Sequence, residues 1–137
     1  TGKAEYINCG PLHIMVQASA SIPVIFSPVK IGKTYYVDGG LCDNLPVRPL
    51  VRQCENIIGV NIFPSEKIIK IENLFQVATR TFQISLDNNI KYNRSKCTVY
   101  IEPQDVSKYH MLEAKHQDEM FEIGYKFAKK MKIRIKG

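Results

Sequence analysis

In the stretch "YYVDGGLCDNLPV", residues 35–47, Asp38 follows Tyr35, Tyr36 and Val37 and precedes Gly39 and Gly40. A carboxylate at the end of a β-rich run can reach a crevice, which is where α/β folds bind ligands. Such an acid can orient or deprotonate a nucleophile placed within about 3 Å. Two glycines beside it allow positive φ and a close approach of backbone or substrate. The same letters also spell a plain turn, because Asp-Gly is a common turn dipeptide. On these three residues alone the turn is the simpler reading. Other chemistry is sparse: there is no GxGxxG, GxxxxGK[ST] or HExxH. His13, His110 and His116 are isolated from one another, and His13 reads as a satisfied, partly buried helix residue. Cys9, Cys42, Cys54 and Cys97 show no CxxC spacing and complete no zinc pattern; they read as free thiols of a reducing compartment, with two disulfides as the alternative.

The elements around the acid follow from pattern. Residues 5–8 alternate like a short strand. A helix is expected from Pro11, with Leu12, Met15, Val16 and Ser19 at helical spacing, stopped by Pro23. "VIFSPVKI" reads as extended with a bend at Pro28, and "VKIGKTYYV" as a hairpin about Gly32-Lys33. A short helix is expected near Pro46. The run "NIIGVNIF", residues 56–63, suits a strand buried on both faces of a parallel sheet. Ile71, Leu74, Phe75, Ala78, Phe82 and Leu86 share a face of a helix expected over 72–89. "KCTVYIEP" reads as a strand ended by Pro103, and residues 104–115 as mostly connector. A last helix over 117–132 turns Met120, Ile123, Phe127 and Met131 inward. Its first turn is acidic and its last basic, which complements the helix dipole. Strands alternating with helices predict an α/β fold with a mainly parallel sheet.

Taken in order, "ASASIPVIF" (residues 18–26), "YYVDGGLCDNLPV" and "IIGVNIF" resemble the patatin-like phospholipase family. Its members carry an Ala-Ser-x-x-x-Pro segment, a β stretch, a DG[GA] acid motif leading into an Asn-x-Pro turn, and an apolar strand. The resemblance implies a three-layer α/β fold with helices flanking the sheet, and a Ser–Asp dyad acyl hydrolase without a catalytic histidine. Asp38 then matches the dyad acid, and Gly39, Gly40, Asn44, Ala18, Ser19 and Pro23 match its supporting motif. Asn44 would fix the loop or cap a following helix. Asp43 is the weaker acid candidate, because Asp38 alone precedes the double glycine. The family's nucleophile sits in a GxSxG elbow and its oxyanion donors in a glycine-rich loop. Neither motif occurs among the 137 residues. Ser19 and Ser21 read as helix–sheet packing rather than as a nucleophile.

The expectation is therefore one domain's C-terminal portion over 1–137, with an acid-motif part over 1–66 and a helical closing part over 67–137. The parent would hydrolyse a lipid or phospholipid ester, with the serine upstream, and this chain alone would be inactive. Its partners would be the lipid ester and the N-terminal half of the same domain. No cofactor and no metal are expected. The competing reading is a non-catalytic, patatin-like remnant that docks on membrane or protein. The net charge of +6 falls entirely in residues 67–137, which carry fourteen Lys/Arg and eight Asp/Glu. A peripheral contact with anionic membrane is a further expectation. Nucleic acid is not expected, because the basic cluster is short and has little aromatic interleaving. No apolar run approaches the roughly 18–20 residues of a membrane span, and the location expected is cytoplasmic, with membrane-peripheral as its variant. A half-sheet with no polar face should leave the chain poorly soluble or oligomeric.

Overall fold

The computed structural model describes residues 2–64, 71–109 and 114–135. Its elements are helix α1 (Leu12–Ser19), strands β1 (Val29–Ile31) and β2 (Thr34–Tyr36), and helix α2 (Gly40–Asp43). Strand β3 (Ile58–Val60), helix α3 (Leu74–Arg94), strand β4 (Val99–Ile101), a 3-10 turn (Gln104–Lys108) and helix α4 (Gln117–Lys130) follow. Helices and strands alternate, so the fold is of mixed α/β class. Among the described residues the strands form two pairs: β1 with β2 antiparallel, and β3 with β4 parallel. The chain divides into two compact units, Thr1–Asn44 with Ile71–Ile90, and Leu45–Lys70 with Lys91–Gly137.

In the first unit, Pro11 caps α1, and the helix ends at Ser19, ahead of Pro23. The hairpin forms where Gly32-Lys33 predicts it, with Ile31 opposite Thr34 and Gly32 at φ +61°. Two neighbours of these elements differ from expectation. Residues 5–8 are not a strand, because a lone extended segment without a paired neighbour forms no ladder. Residues 24–26 are a turn rather than extended chain. The Ile25 N–H donates to Ile22 O at 3.2 Å, which puts Pro23 and Val24 at the centre of the turn. Val24 has φ +73°, the sign that a type II turn requires at its second central residue, although a β-branched side chain resists it.

Helix α3 starts with a reciprocal cap. Asn73 Oδ1 accepts from the Gln76 N–H at 2.9 Å, and Gln76 Oε1 accepts from the Glu72 N–H at 2.7 Å. The expected apolar stripe is divided in fact: Phe82, Leu86 and Ile90 are buried, whereas Leu74 and Phe75 are exposed. The helix also continues past Asn89 to Arg94, since nothing in "NIKYNR" breaks it.

In the second unit, β3 and β4 pair with Ile58 opposite Val99 and Val60 opposite Ile101. Leu45, Val47, Ile57, Val99, Val106 and Tyr109 are its buried hydrophobics. The segment after Pro46 closes as successive turns over residues 48–53 rather than as a helix. Pro49 cannot donate a backbone N–H there. The strand expected to be buried on both faces has one face open: Ile58 and Val60 are 48% and 51% exposed. Helix α4 has Asp118 and Glu119 in its first turn and Lys129 and Lys130 in its last. Its Met120, Ile123 and Met131 are half-buried, and Phe127 is exposed.

Candidate active site

Asp38 lies two residues beyond the end of β2, and two contacts within the first unit set its place. Its backbone N–H donates to Ser21 O at 2.9 Å, which ties the acid to the Ala-Ser segment. Its Oδ1 accepts from the Gly40 N–H at 2.7 Å, an Asx-type turn. Helix α2 then begins at once, with the Cys42 and Asp43 N–H groups donating to Gly39 O.

The two glycines have different reasons, and neither is a positive φ. Gly39 is right-handed helical at φ −66°, and a Cβ there would meet nothing within 4 Å. A Cβ on Gly40 would stand 2.9 Å from Asp38 Oδ1, 2.9 Å from Leu86 Cδ2 and 3.0 Å from Asn44 Oδ1. Space, not backbone conformation, makes Gly40 a glycine. Asn44 is the C-cap of α2, so it closes the preceding turn and opens no new helix.

Helix α3 holds the acid turn from outside the motif. Asn89 Nδ2 donates to Leu41 O at 3.0 Å, and Ser85 Oγ donates to the same carbonyl at 3.1 Å. These contacts satisfy a carbonyl that a one-turn helix cannot satisfy itself. Leu86 reads from sequence only as part of the apolar stripe, and Ser85 and Asn89 do not read as contacts of the acid turn. The signal available was a pair of small polar residues on the same helical row as Phe82 and Leu86.

The remaining motif residues are placed as follows. Ala18 is buried, Ser19 is exposed, and Pro23 is half-buried in its turn. Ser21 is buried, and its Oγ donates to Gln17 O at 2.7 Å, a back-bond to α1. Asp43 is buried and accepts a hydrogen bond from the Tyr6 hydroxyl. Asp38, by contrast, is half-buried and lines a cleft of about 500 Å³. Ser19, Leu12, Val16, Val37 and Leu41 also line it, so the acid faces a mainly apolar wall. His13 is exposed on α1 rather than partly buried, and His110 lies outside the described residues.

A second polar cluster lies within the other unit. Glu102 accepts from Tyr100 at 2.7 Å, Asn61 at 2.8 Å and Gln104 at 2.7 Å. Burial pushes the Glu102 carboxyl up, but these three donors and Arg94 outweigh it and hold it below its ordinary range. Burial and the same carboxylate push the Tyr100 phenol up to about 12. Tyr100 lies in β4, Asn61 just past β3 and Gln104 at the start of the 3-10 turn, so the carboxylate ties the two strands to the turn that follows. Among the described residues no group of three or more His, Cys, Asp or Glu could hold a metal ion. The four cysteines are free thiols, three of them exposed.

The first unit thus presents a held carboxylate to a cleft. Residues 7–51 match the family model described as patatin-like phospholipase, a span that contains the whole acid turn. The chain is also similar to uncharacterized NTE family proteins of Mycobacterium bovis and Mycobacterium tuberculosis. Each is 35% identical over 49 residues, which is 36% of this chain and 14% of the relative's length. The resemblance to the patatin-like family is thus shown, and it points to a family of hydrolases of the phospholipase kind. No helix among the described residues is long and apolar enough to cross a membrane.

Proposed function

We propose that this chain carries the acid half of a serine acyl hydrolase acting on a lipid ester, with Asp38 as the acid of a Ser–Asp dyad. The observation that carries the reading is the cleft-lining Asp38 carboxylate, held by the Gly40 N–H at one oxygen and by Ser21 O through its own backbone. The serine comes from a GxSxG segment outside residues 1–137, so the chain by itself is inactive.

The serine Oγ attacks the ester carbonyl carbon while Asp38 Oδ2 takes the hydroxyl proton. The tetrahedral intermediate collapses, the C–O bond to the alcohol breaks, and Asp38 returns the proton to the departing oxygen. Water then attacks the acyl carbon while Asp38 takes its proton; the bond from that carbon to the serine Oγ breaks, and Asp38 passes the proton to Oγ, which frees the serine and the acid product. The apolar part of the cleft wall, with Leu12, Val16, Val37 and Leu41, suits an acyl chain. The site is cytoplasmic or at a membrane periphery in this reading, and the reaction requires no metal or cofactor.

The test is hydrolysis of a p-nitrophenyl acyl ester by the protein that joins these residues to a GxSxG segment. Asp38→Asn should lower turnover at least about 100-fold while leaving the circular dichroism spectrum unchanged. The 137-residue chain alone should show no turnover above buffer. Turnover by the chain alone that disappears in Ser19→Ala would overturn the assignment of the nucleophile.

A further inference from the structure

The C-terminal end of α4 and the residues after it combine two features that nothing in the acid site uses. Phe121 and Tyr125 are 68% and 53% exposed, and their rings stack at 6.2 Å between centroids. Lys129 lies over the outer part of the same row, with Nζ 5.6 Å from the Tyr125 ring. The spacing of four residues puts Phe121, Tyr125 and Lys129 along one side of the helix. Beyond them the chain alternates Lys132, Ile133, Arg134 and Ile135, and both isoleucines are exposed. Lys126, Lys129, Lys130, Lys132 and Arg134 give five cations between positions 126 and 134, and no acid follows Glu122 in the sequence.

We infer that this surface docks the protein on an anionic lipid bilayer, with the aromatic row and the two isoleucines entering the headgroup layer. Charge complementarity fixes the sign of the partner. Exposed aromatic rings gain at the water–lipid boundary, where one edge is apolar and the other wet. Long lysine stems reach past them to phosphates and carboxylates at the surface. Exposed aliphatic side chains interleaved with the cations favour lipid over nucleic acid, because an isoleucine offers a base no stacking face. The charge is graded along the helix. Asp118 and Glu119 occupy the first turn, and Glu122 is bridged by Lys126 at 3.3 Å. Asp118 and Glu122 flank Phe121, so Tyr125, Lys129 and the segment beyond lead the contact, and Phe121 enters at its edge.

The inference does not depend on the acyl-hydrolase reading, and co-sedimentation of the full chain with vesicles separates the two. Vesicles of phosphatidylcholine mixed with phosphatidylserine should carry the protein down, and pure phosphatidylcholine vesicles should not. Replacing Lys129, Lys130 and Lys132 by Gln should weaken binding by about five-fold for each cation removed, and raised salt should do the same. Phe121→Ala with Tyr125→Ala should weaken it at unchanged charge, and these exposed positions leave the helix content intact by circular dichroism. Asp38→Asn should bind vesicles as the parent does. Equal binding to neutral and anionic vesicles would overturn the inference. So would unchanged binding in the Phe121/Tyr125 variant, or capture by an oligonucleotide while vesicles leave the protein in solution.

Discussion

At Gly40 a single added methyl would meet Asp38, Leu86 and Asn44 together, all at about 3 Å. Next door at Gly39 the same methyl meets open space. Gly40→Ala should therefore lower stability by roughly 1–3 kcal/mol, as overpacking does. Gly39→Ala should stay within about 0.5 kcal/mol of the parent. Urea unfolding of the two variants checks the difference, and equal costs would remove space as the reason for the second glycine. Sequence alone marked both glycines and Asp38. It did not separate their reasons, because a Cβ clash is a property of what arrives from elsewhere in the chain. Leu86 lies 46 residues beyond Gly40 in the sequence.

Helix α3 illustrates the same division one scale up. Its start was legible to within two residues from the apolar spacing, and the structure adds a cap that this spacing does not show: Asn73 and Gln76 bond across three positions. Its end was not, because Asn89 reads as a helix-unfriendly residue and yet serves the helix. The side chain donates to Leu41 O instead of competing for its own backbone. Asn89→Ala should cost about 1–2 kcal/mol, measured by thermal or urea unfolding, since the Leu41 carbonyl loses a donor. In the protein with a complete dyad, it should also reduce ester turnover more than substrate affinity, through a looser acid turn. A similar contact test belongs to β3. A Cβ on Gly59 would stand 2.6 Å from Cys97 Sγ. Gly59→Ala should destabilise by about 1–3 kcal/mol. In a Cys97→Ala background the same change should cost markedly less, a non-additivity that a double-mutant cycle reads directly.

For the whole chain the informative surface is the open face of β3. Ile58 and Val60 are about half exposed, and Ile62 is 75% exposed, all on alternate positions of one run. Apolar side chains exposed in this way, on a strand with one neighbour among the described residues, promote association. Sedimentation should show association of the 137-residue chain that grows with concentration. Ile58→Thr with Ile62→Thr should shift the distribution towards the 15.6 kDa monomer. A purely monomeric parent at high concentration would count against an adhesive sheet face. The run was legible as a strand from its β-branched residues. That one face would stay open was not, because burial depends on which elements come to cover the strand.

What the sequence determined by itself is what short-range forces decide. The hairpin about Gly32-Lys33, the end of α1 ahead of Pro23, the start of α3 and the charge gradient of α4 each rest on residues a few positions apart. The order of motifs around Asp38 likewise placed the chain beside the patatin-like family. Only the tertiary structure decided which acid faces the cleft and which is buried against Tyr6. It also decided why Gly40 has no side chain, and which helix row holds the acid turn. The Tyr6–Asp43, Gly40–Leu86, Ser85–Leu41 and Asn89–Leu41 contacts join residues some 35 to 50 positions apart, while Asp38 and Asn44 close on Gly40 from its own turn. Steric exclusion and burial at such separations have no local signature in the letters.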